Sequence, residues 1–174
     1  MCKALPGLHA FTGCDSTSAF IRKGKKLAFE LVESDPELCN AMTIVGNSFN
    51  CNDELEQGCA RFVCALYGDS GEDTDSVRYK LFCSKNAETC HLPPTKDALK
   101  HHIARANYQA CIWHQSLAAD APTPSPDGHG WDVVDGHLSI HWMDQQPAPK
   151  AILQLISCKC SKDHCAGGRC SVHT

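Results

Sequence analysis

The chain lacks most of the features that would assign it a class at once. No run of about 18 apolar residues occurs in it, so no transmembrane helix is expected. The opening residues, Met1-Cys2-Lys3-Ala4-Leu5-Pro6-Gly7, carry no long apolar segment of the signal-peptide kind. There is no Asn-x-Ser/Thr acceptor and no phosphate loop of the Gly-x4-Gly-Lys-Ser/Thr type. No Ser-His-Asp or Cys-His arrangement is legible as a nucleophilic site, and there are no internal repeats. Charge of neither sign dominates. Sixteen Lys and Arg against 20 Asp and Glu leave a net −4, which argues neither for nor against a polyanionic partner.

That balance hides a segregation. Residues 1–34 carry five Lys/Arg and three acids, residues 35–76 one Arg and nine acids, and residues 77–117 six Lys/Arg and two acids. The two locally basic stretches keep nucleic-acid contact open. What the chain has in excess is cysteine, 13 in 174 residues. Nine are scattered, and Cys39, Cys59, Cys64, Cys83 and Cys111 fall inside helix-like patterns, where buried free thiols act as small hydrophobes. A secreted disulfide framework is more often short and loop-rich. The expectation is an intracellular, reducing compartment, and for a nucleic-acid binder the nucleus.

The expected fold class is mainly α: a small helical domain with a short β-hairpin and a cysteine-rich zinc-binding tail. Residues 25–33 read as a short helix broken by Pro36, and a second runs from Glu37 to Val45. Asn52 is placed to cap a helix whose Leu55, Cys59, Phe62, Val63 and Leu66 share one face. Gly68–Asp75 reads as an acidic loop and Val77–Cys83 as another short helix. Pro93-Pro94-Thr95 announces the clearest helix, from Thr95 to Leu117, with Thr95 as cap and Asp97 in the first turn. Its Leu99, Ile103, Ala106, Ala110, Trp113 and Leu117 form one apolar stripe. Lys96, Lys100, His101 and Arg105 lie off it, on a face that reads as solvated, with a basic nucleic-acid face as the alternative. Residues 118–130 are a Pro/Gly linker. Two short β patterns then flank Asp135-Gly136, a two-residue hairpin signal, and a last helix is expected over Lys150–Ile156.

The densest feature is Cys158-Lys-Cys160-Ser-Lys-Asp-His-Cys165-Ala-Gly-Gly-Arg-Cys170. Thiolates spaced C-x-C-x4-C-x4-C can wrap Zn²⁺ tetrahedrally, whereas a C-x-C pair is too close for easy disulfide geometry. Cys158, Cys160, Cys165 and Cys170 are therefore the expected zinc ligands. With Lys159, Ser161 and Lys162, the segment resembles the opening of tesmin-type CXC domains over residues 158–174. That resemblance implies DNA binding through a zinc cluster, with Lys159, Lys162 and Arg169 at phosphates. Val172 stands where the family has its next cysteine and Arg169 where it has a DNA-contacting tyrosine. The second half of the motif is absent, so the implied contacts are weak and sequence-independent.

A second pattern is Leu8-His-Ala-Phe-Thr-Gly13-Cys-Asp15, a Ser/Thr turn, then Arg22-Lys23-Gly24-Lys25-Lys26 and a helix. It resembles the passage from an active-site Asp into a helix-hairpin-helix in flap-endonuclease-type and PIN-like nucleases. The resemblance implies that Asp15 is a metal-binding catalytic carboxylate. It also implies that Lys23, Gly24, Lys25 and Lys26 approach a DNA phosphate at a helix N-terminus. Arg22 stands where the hairpin's first glycine belongs, and arginine reaches positive φ only at a cost. Asp15 also reads as an N-cap or Asx-turn residue. Such a nuclease holds two Mg²⁺ with several carboxylates. The others would lie on strands before Leu5, so the chain is expected to be the C-terminal part of a longer protein. Asp69, Glu72, Asp73 and Asp75 read as a solvated loop.

Taken with Phe62-Val-Cys-Ala-Leu-Tyr-Gly68, Leu92-Pro-Pro-Thr-Lys-Asp-Ala-Leu99 and Pro124-Ser-Pro-Asp-Gly-His-Gly-Trp131, these segments resemble a group of uncharacterised invertebrate proteins derived from mobile elements. The resemblance covers nearly the whole chain and implies no established activity. Of ten histidines, His129, His137 and His141 cluster at the hairpin, and His137 and His141 share a strand parity. They offer a minor alternative metal site, whereas the adjacent His101 and His102 point in different directions on a helix. The resulting expectation has five parts: a nuclease-like segment over 1–34, a helical domain over 35–117, the linker over 118–130, a hairpin and helix over 131–157, and a partial CXC motif over 158–174. The expected function is Zn²⁺ binding with weak DNA contact, and no membrane or small-molecule substrate. The alternatives are a remnant of a Mg²⁺-dependent nuclease and a degenerate product without activity.

Overall fold

The computed structural model describes residues 1–85 and 89–146. The chain divides into two compact units, Met1–Asp144 and Gln145–Thr174, and nearly all described residues belong to the first. The helix expected over Lys150–Ile156, and the Cys158–Cys170 cluster with Lys159, Lys162 and Arg169, lie outside the described residues.

The first unit is mainly α. A 3-10 turn, Cys2–Ala4, leads into α1 (Leu5–Phe11), followed by α2 (Lys25–Ser34), α3 (Pro36–Ile44), α4 (Asp53–Leu66), α5 (Thr74–Lys85) and a second 3-10 turn, Thr89–His91. Then come α6 (Lys96–His114) and an antiparallel hairpin of β1 (Trp131–Val134) and β2 (His137–Ile140). Side-chain caps fix the starts of α3, α4, α5 and α6. The Asp35 carboxylate accepts from the Glu37 and Leu38 amides, so Pro36 opens α3 as its first residue rather than merely ending α2. Asn52 accepts from Leu55 N–H at 2.9 Å, and Asp53, Glu54 and Glu56 follow in the positive first turn of α4. Thr95 caps α6 through Ala98 N–H, and Asp75 of α5 accepts from Lys96 N–H at 3.0 Å. Asp73 accepts from Ser76 N–H at 3.1 Å, which starts α5 earlier than the apolar pattern suggested.

The core collects the expected stripe of α4 and, from α6, Leu99, Ile103, Ala106 and Ala110. The stripe of α6 stops short of its expected end. Trp113 is half-buried, stacked on His9 at 5.4 Å, and Leu117 lies beyond the helix, 99% exposed. At the centre is α1, which packs on α2, α3 and α6. Its Phe11 meets the rings of Phe20, Phe62 and His102 at 5.5, 5.7 and 5.1 Å. Gly7 permits the crossing with α3, because a Cβ there would collide with the Met42 carbonyl oxygen. No boundary falls at residue 34. α1 and α2 bury Leu8, Phe11, Ala28 and Val32 in the same core as α3, α4 and α6.

Between α1 and α2 the chain turns at Phe20–Lys23, closed by Lys23 N–H donating to Phe20 O at 3.1 Å. Arg22 sits in this turn at φ +58, so the arginine does take the left-handed conformation. Gly24 keeps φ −75 and serves as N-cap of α2. The hairpin turn Asp135-Gly136, with φ +52 and +77, is of the mirror-image type that suits strand twist. Among the nine described cysteines all are free. Cys59, Cys64 and Cys111 are buried as expected, Cys39 is only half-buried, and Cys83 is exposed because α5 covers the core at Val77 instead. Among the described residues no helix is long and apolar enough to cross a membrane.

His102 is the buried titratable group of this core. Burial pulls its imidazole from 6.5 down to about 4; donation to Phe11 O at 2.8 Å opposes this, and nearby Arg105 adds to it. The folded ring is thus neutral where the unfolded one begins to protonate. Its contribution is fully present above pH 6.5 and is lost as pH falls through 4, a range worth ~3 kcal/mol. With chelator present, urea unfolding of His102→Gln should show the wild-type advantage shrinking between pH 7 and pH 4.5. An advantage constant over that interval would contradict a neutral His102.

Candidate metal centre

The polar side of α6 carries His101 and Arg105 one turn apart, and the structure buries Arg105 and half-buries His101 where the sequence suggested solvent. Arg105 is 2% exposed. Its Nη1 donates to Gly130 O at 2.9 Å and to His141 O at 2.7 Å, and its guanidinium carbon lies 5.6 Å from the Trp142 ring centre. Its Nε has no hydrogen-bond partner among the described residues. Burial lowers its pKa, but a guanidinium remains charged. The chain can approach this helix so closely only at a glycine. Gly130 has φ +82, and a Cβ there would strike the His101 carbonyl oxygen and come within 2.8 Å of Arg105 Cγ. Trp131 packs edge-on against Tyr108 at 5.6 Å, and Tyr108 Oη donates to Pro124 O at 2.8 Å.

With the hairpin base pinned, three side chains converge. His101 Nε2 lies 3.0 Å from Asp144 Oδ2, and His141 Nε2 lies 2.8 Å from Asp144 Oδ1. The imidazole centres are 4.3 Å apart. On the far side of its ring, His141 Nδ1 is 3.0 Å from both carboxylate oxygens of Asp132. Asp144 N–H donates to Asp97 Oδ2 at 2.7 Å, which ties the carboxylate's backbone to the first turn of α6. Hydrogen bonds to Asp132 first, and then to Asp144, raise the pKa of His141. Those to His141 and His101 hold Asp144 below the usual carboxylate range.

One donor atom from each of His101, His141 and Asp144 lies within 4.8 Å of the others. Ligands about 2.0–2.1 Å from a tetrahedral Zn²⁺ stand roughly 3.3 Å apart, a separation inside the 4.8 Å span of this triad. Asp132 would hold the Nδ1–H of His141 and aim its Nε2, the arrangement that commonly supports a metal-bound imidazole. His101 is the more buried imidazole, while Asp144 is largely exposed, leaving one side open to solvent.

Among the described residues, Asp15 and the basic segment 23–26 take separate places. Asp15 is exposed on a bend and belongs to no group of potential metal ligands among the described residues. Lys23 Nζ lies 4.5 Å over the Tyr67 ring. Lys25 is turned inward: its ammonium donates to His9 O, Thr12 Oγ1 and Gly13 O, closing the C-terminal end of α1. Lys26 is exposed, 3.8 Å from Glu30, and Gly24 borders open space. Of the hairpin histidines only His141 takes part; His129 packs on Tyr108 and Phe49, and His137 is exposed beside the turn. The acidic loop is partly tied down, with Arg61 bridging Glu37 and Glu72, and Lys80 on Asp69 at 3.0 Å.

Sequence reasoning missed His101, Asp132 and Asp144. The pairing of Asp132 with His141 had a signal. The Asp135-Gly136 turn fixes a register in which both fall on the same face. Comparison with known proteins returns nothing: no family model, no curated protein and no solved structure matches the chain.

Gly130→Ala should lift the hairpin base from α6 while the helices persist. The expected outcome is unchanged helical circular dichroism with faster hydrogen exchange at His141 N–H, which donates to Gly130 O at 3.0 Å. Unchanged exchange would show that the close approach is not required.

Proposed function

We propose that the Met1–Asp144 unit binds one divalent transition-metal ion, with zinc the best fit, through His101, His141 and Asp144. The observation that carries the reading is the pair of Nε2 atoms set on one carboxylate, with Asp132 bracing the far nitrogen of His141. Imidazole ligands suit zinc and its neighbours, whereas Mg²⁺ prefers an all-oxygen, octahedral shell. Three protein donors with an open side leave room for water or an exogenous ligand. The carboxylates of Asp97, Asp132 and Asp144 make the locality attractive to a cation. This donor set lends no support to a two-Mg²⁺ nuclease.

A second zinc at Cys158, Cys160, Cys165 and Cys170 is the companion reading, favoured by the cysteine spacing. Metal analysis separates the two. The whole chain should carry two zinc equivalents, a variant with those four cysteines changed to Ser one, and that variant with Asp144→Asn none. A cysteine-free-tail variant that binds no zinc, or binds it equally with Asp144→Asn, would sink the triad reading.

DNA contact is proposed to be weak and sequence-independent, made by Lys26 and by Lys159, Lys162 and Arg169. Lys25 is left out because its protons are committed within the fold. In duplex titrations Lys26→Ala should weaken binding and flatten its salt dependence, whereas Lys25→Ala should lower stability and leave affinity nearly unchanged. Tight binding to one sequence that survives high salt would contradict this account.

A further inference from the structure

We infer that the ion at His101, His141 and Asp144 acts as a clasp. Its loading fastens the Gly130–Asp144 segment to α6, and its removal frees that segment while the helical core stays folded. The inference rests on the metal reading above and adds to it what the metal controls.

The core does not need the hairpin. Its members run from Ala4 to Ala110, and no hairpin residue is among them. Of the strands only Trp131 is buried, against Tyr108. Val133, Leu138 and Ile140 share the face of Trp131 yet stand exposed, as does Val134 on the other face. The connection from Leu117 to Asp127 lies largely in solvent, anchored at Pro124 by Tyr108. A lone two-stranded hairpin is marginal in water. The segment is therefore a unit that can open without the rest.

The contacts that seat it lie at its base: Trp131 on Tyr108, the two carbonyls and the Trp142 ring on Arg105, the Asp144 amide on Asp97, and the triad. Without an ion, the triad is a set of imidazole–carboxylate contacts on a side open to water, where such pairs contribute little. An ion changes the count of strong bonds across the junction. One donor, His101, belongs to α6; the other two, His141 and Asp144, follow the hairpin. Only the docked arrangement offers all three, so the ion binds it preferentially and shifts the equilibrium by that difference. Metal supply then sets how long Trp131 stays covered.

The test is hydrogen exchange on the full chain carrying Ser at Cys158, Cys160, Cys165 and Cys170, with Zn²⁺, with Mg²⁺ and with chelator. The reporters are the His141 amide, bonded to Gly130 O, and the Val133 amide, bonded to Asp127 Oδ1. The references are Phe62 and Val63 of α4. At free zinc 100 times its Kd, the reporters should slow about 100-fold relative to chelator. The references should not change, Mg²⁺ should have no effect, and Asp144→Asn should abolish the response. Zinc that binds without slowing the reporters overturns the clasp and leaves the metal site standing. Equal slowing of the α4 amides overturns the claim that the segment opens alone. Absence of zinc binding overturns the metal reading and the clasp with it. The zinc-against-magnesium comparison uses one protein, so it holds even if the Asp144 variant folds poorly.

Discussion

Arg105 carries a full charge into a site nearly closed to water, and the outer side of the unit is arranged around giving it acceptors. Desolvating a guanidinium costs several kcal/mol unless its protons find partners. From Nη1 the guanidinium reaches the carbonyls of Gly130 and His141, which lie across from each other at the open end of the hairpin. One arginine thereby fixes both ends of the loop that carries Asp132 and His141. The imidazole of His141 is delivered to His101 as a by-product, and Asp144 follows three residues on. The candidate metal centre is thus built on backbone geometry set by a neighbouring charge. That is why its three donors can come from a helix and a post-strand loop far apart in sequence.

The same economy appears at the other end of α6. Asn107 accepts from Gly46 N–H at 2.8 Å and donates to Ser48 O at 2.6 Å, and His114 bonds Gly46 O at 3.0 Å. Buried polar side chains of α6 therefore hold the α3–α4 loop on one side and the hairpin on another, while its apolar stripe enters the core. The helix is an organiser with three separate loads.

What the sequence made legible was local. Asn52, Thr95 and the Asp135-Gly136 turn act within a few residues of themselves, and the α4 stripe repeats over several turns. The failures share one cause. Stripe logic assumes a helix with one buried face, so His101 and Arg105 were assigned to water. Their cover arrives in the chain only after a proline-rich linker, and nothing local announces it. α1 escaped notice because seven residues with Pro6 and Gly7 have little helical propensity of their own and are held by packing. The lysines near Gly24 read as a phosphate site because charge near a helix start suits phosphate. Lys25 instead answers the carbonyls at the end of α1, a partner that no local pattern names. Asp132 with His141 was within reach of strand parity; joining them to His101 required the fold.

The contact of α1 with α6 has a consequence for how the chain reaches its structure. Phe11 and His102 are 91 positions apart, yet their contact lies at the centre of the core. Helical proteins usually fold quickly because their contacts are local. Here an early helix has no full set of neighbours until α6 has left the ribosome, so its apolar face stays uncovered through much of synthesis. The unit should close late and in a single step, with the last long helix completing the site that the first one had been waiting for.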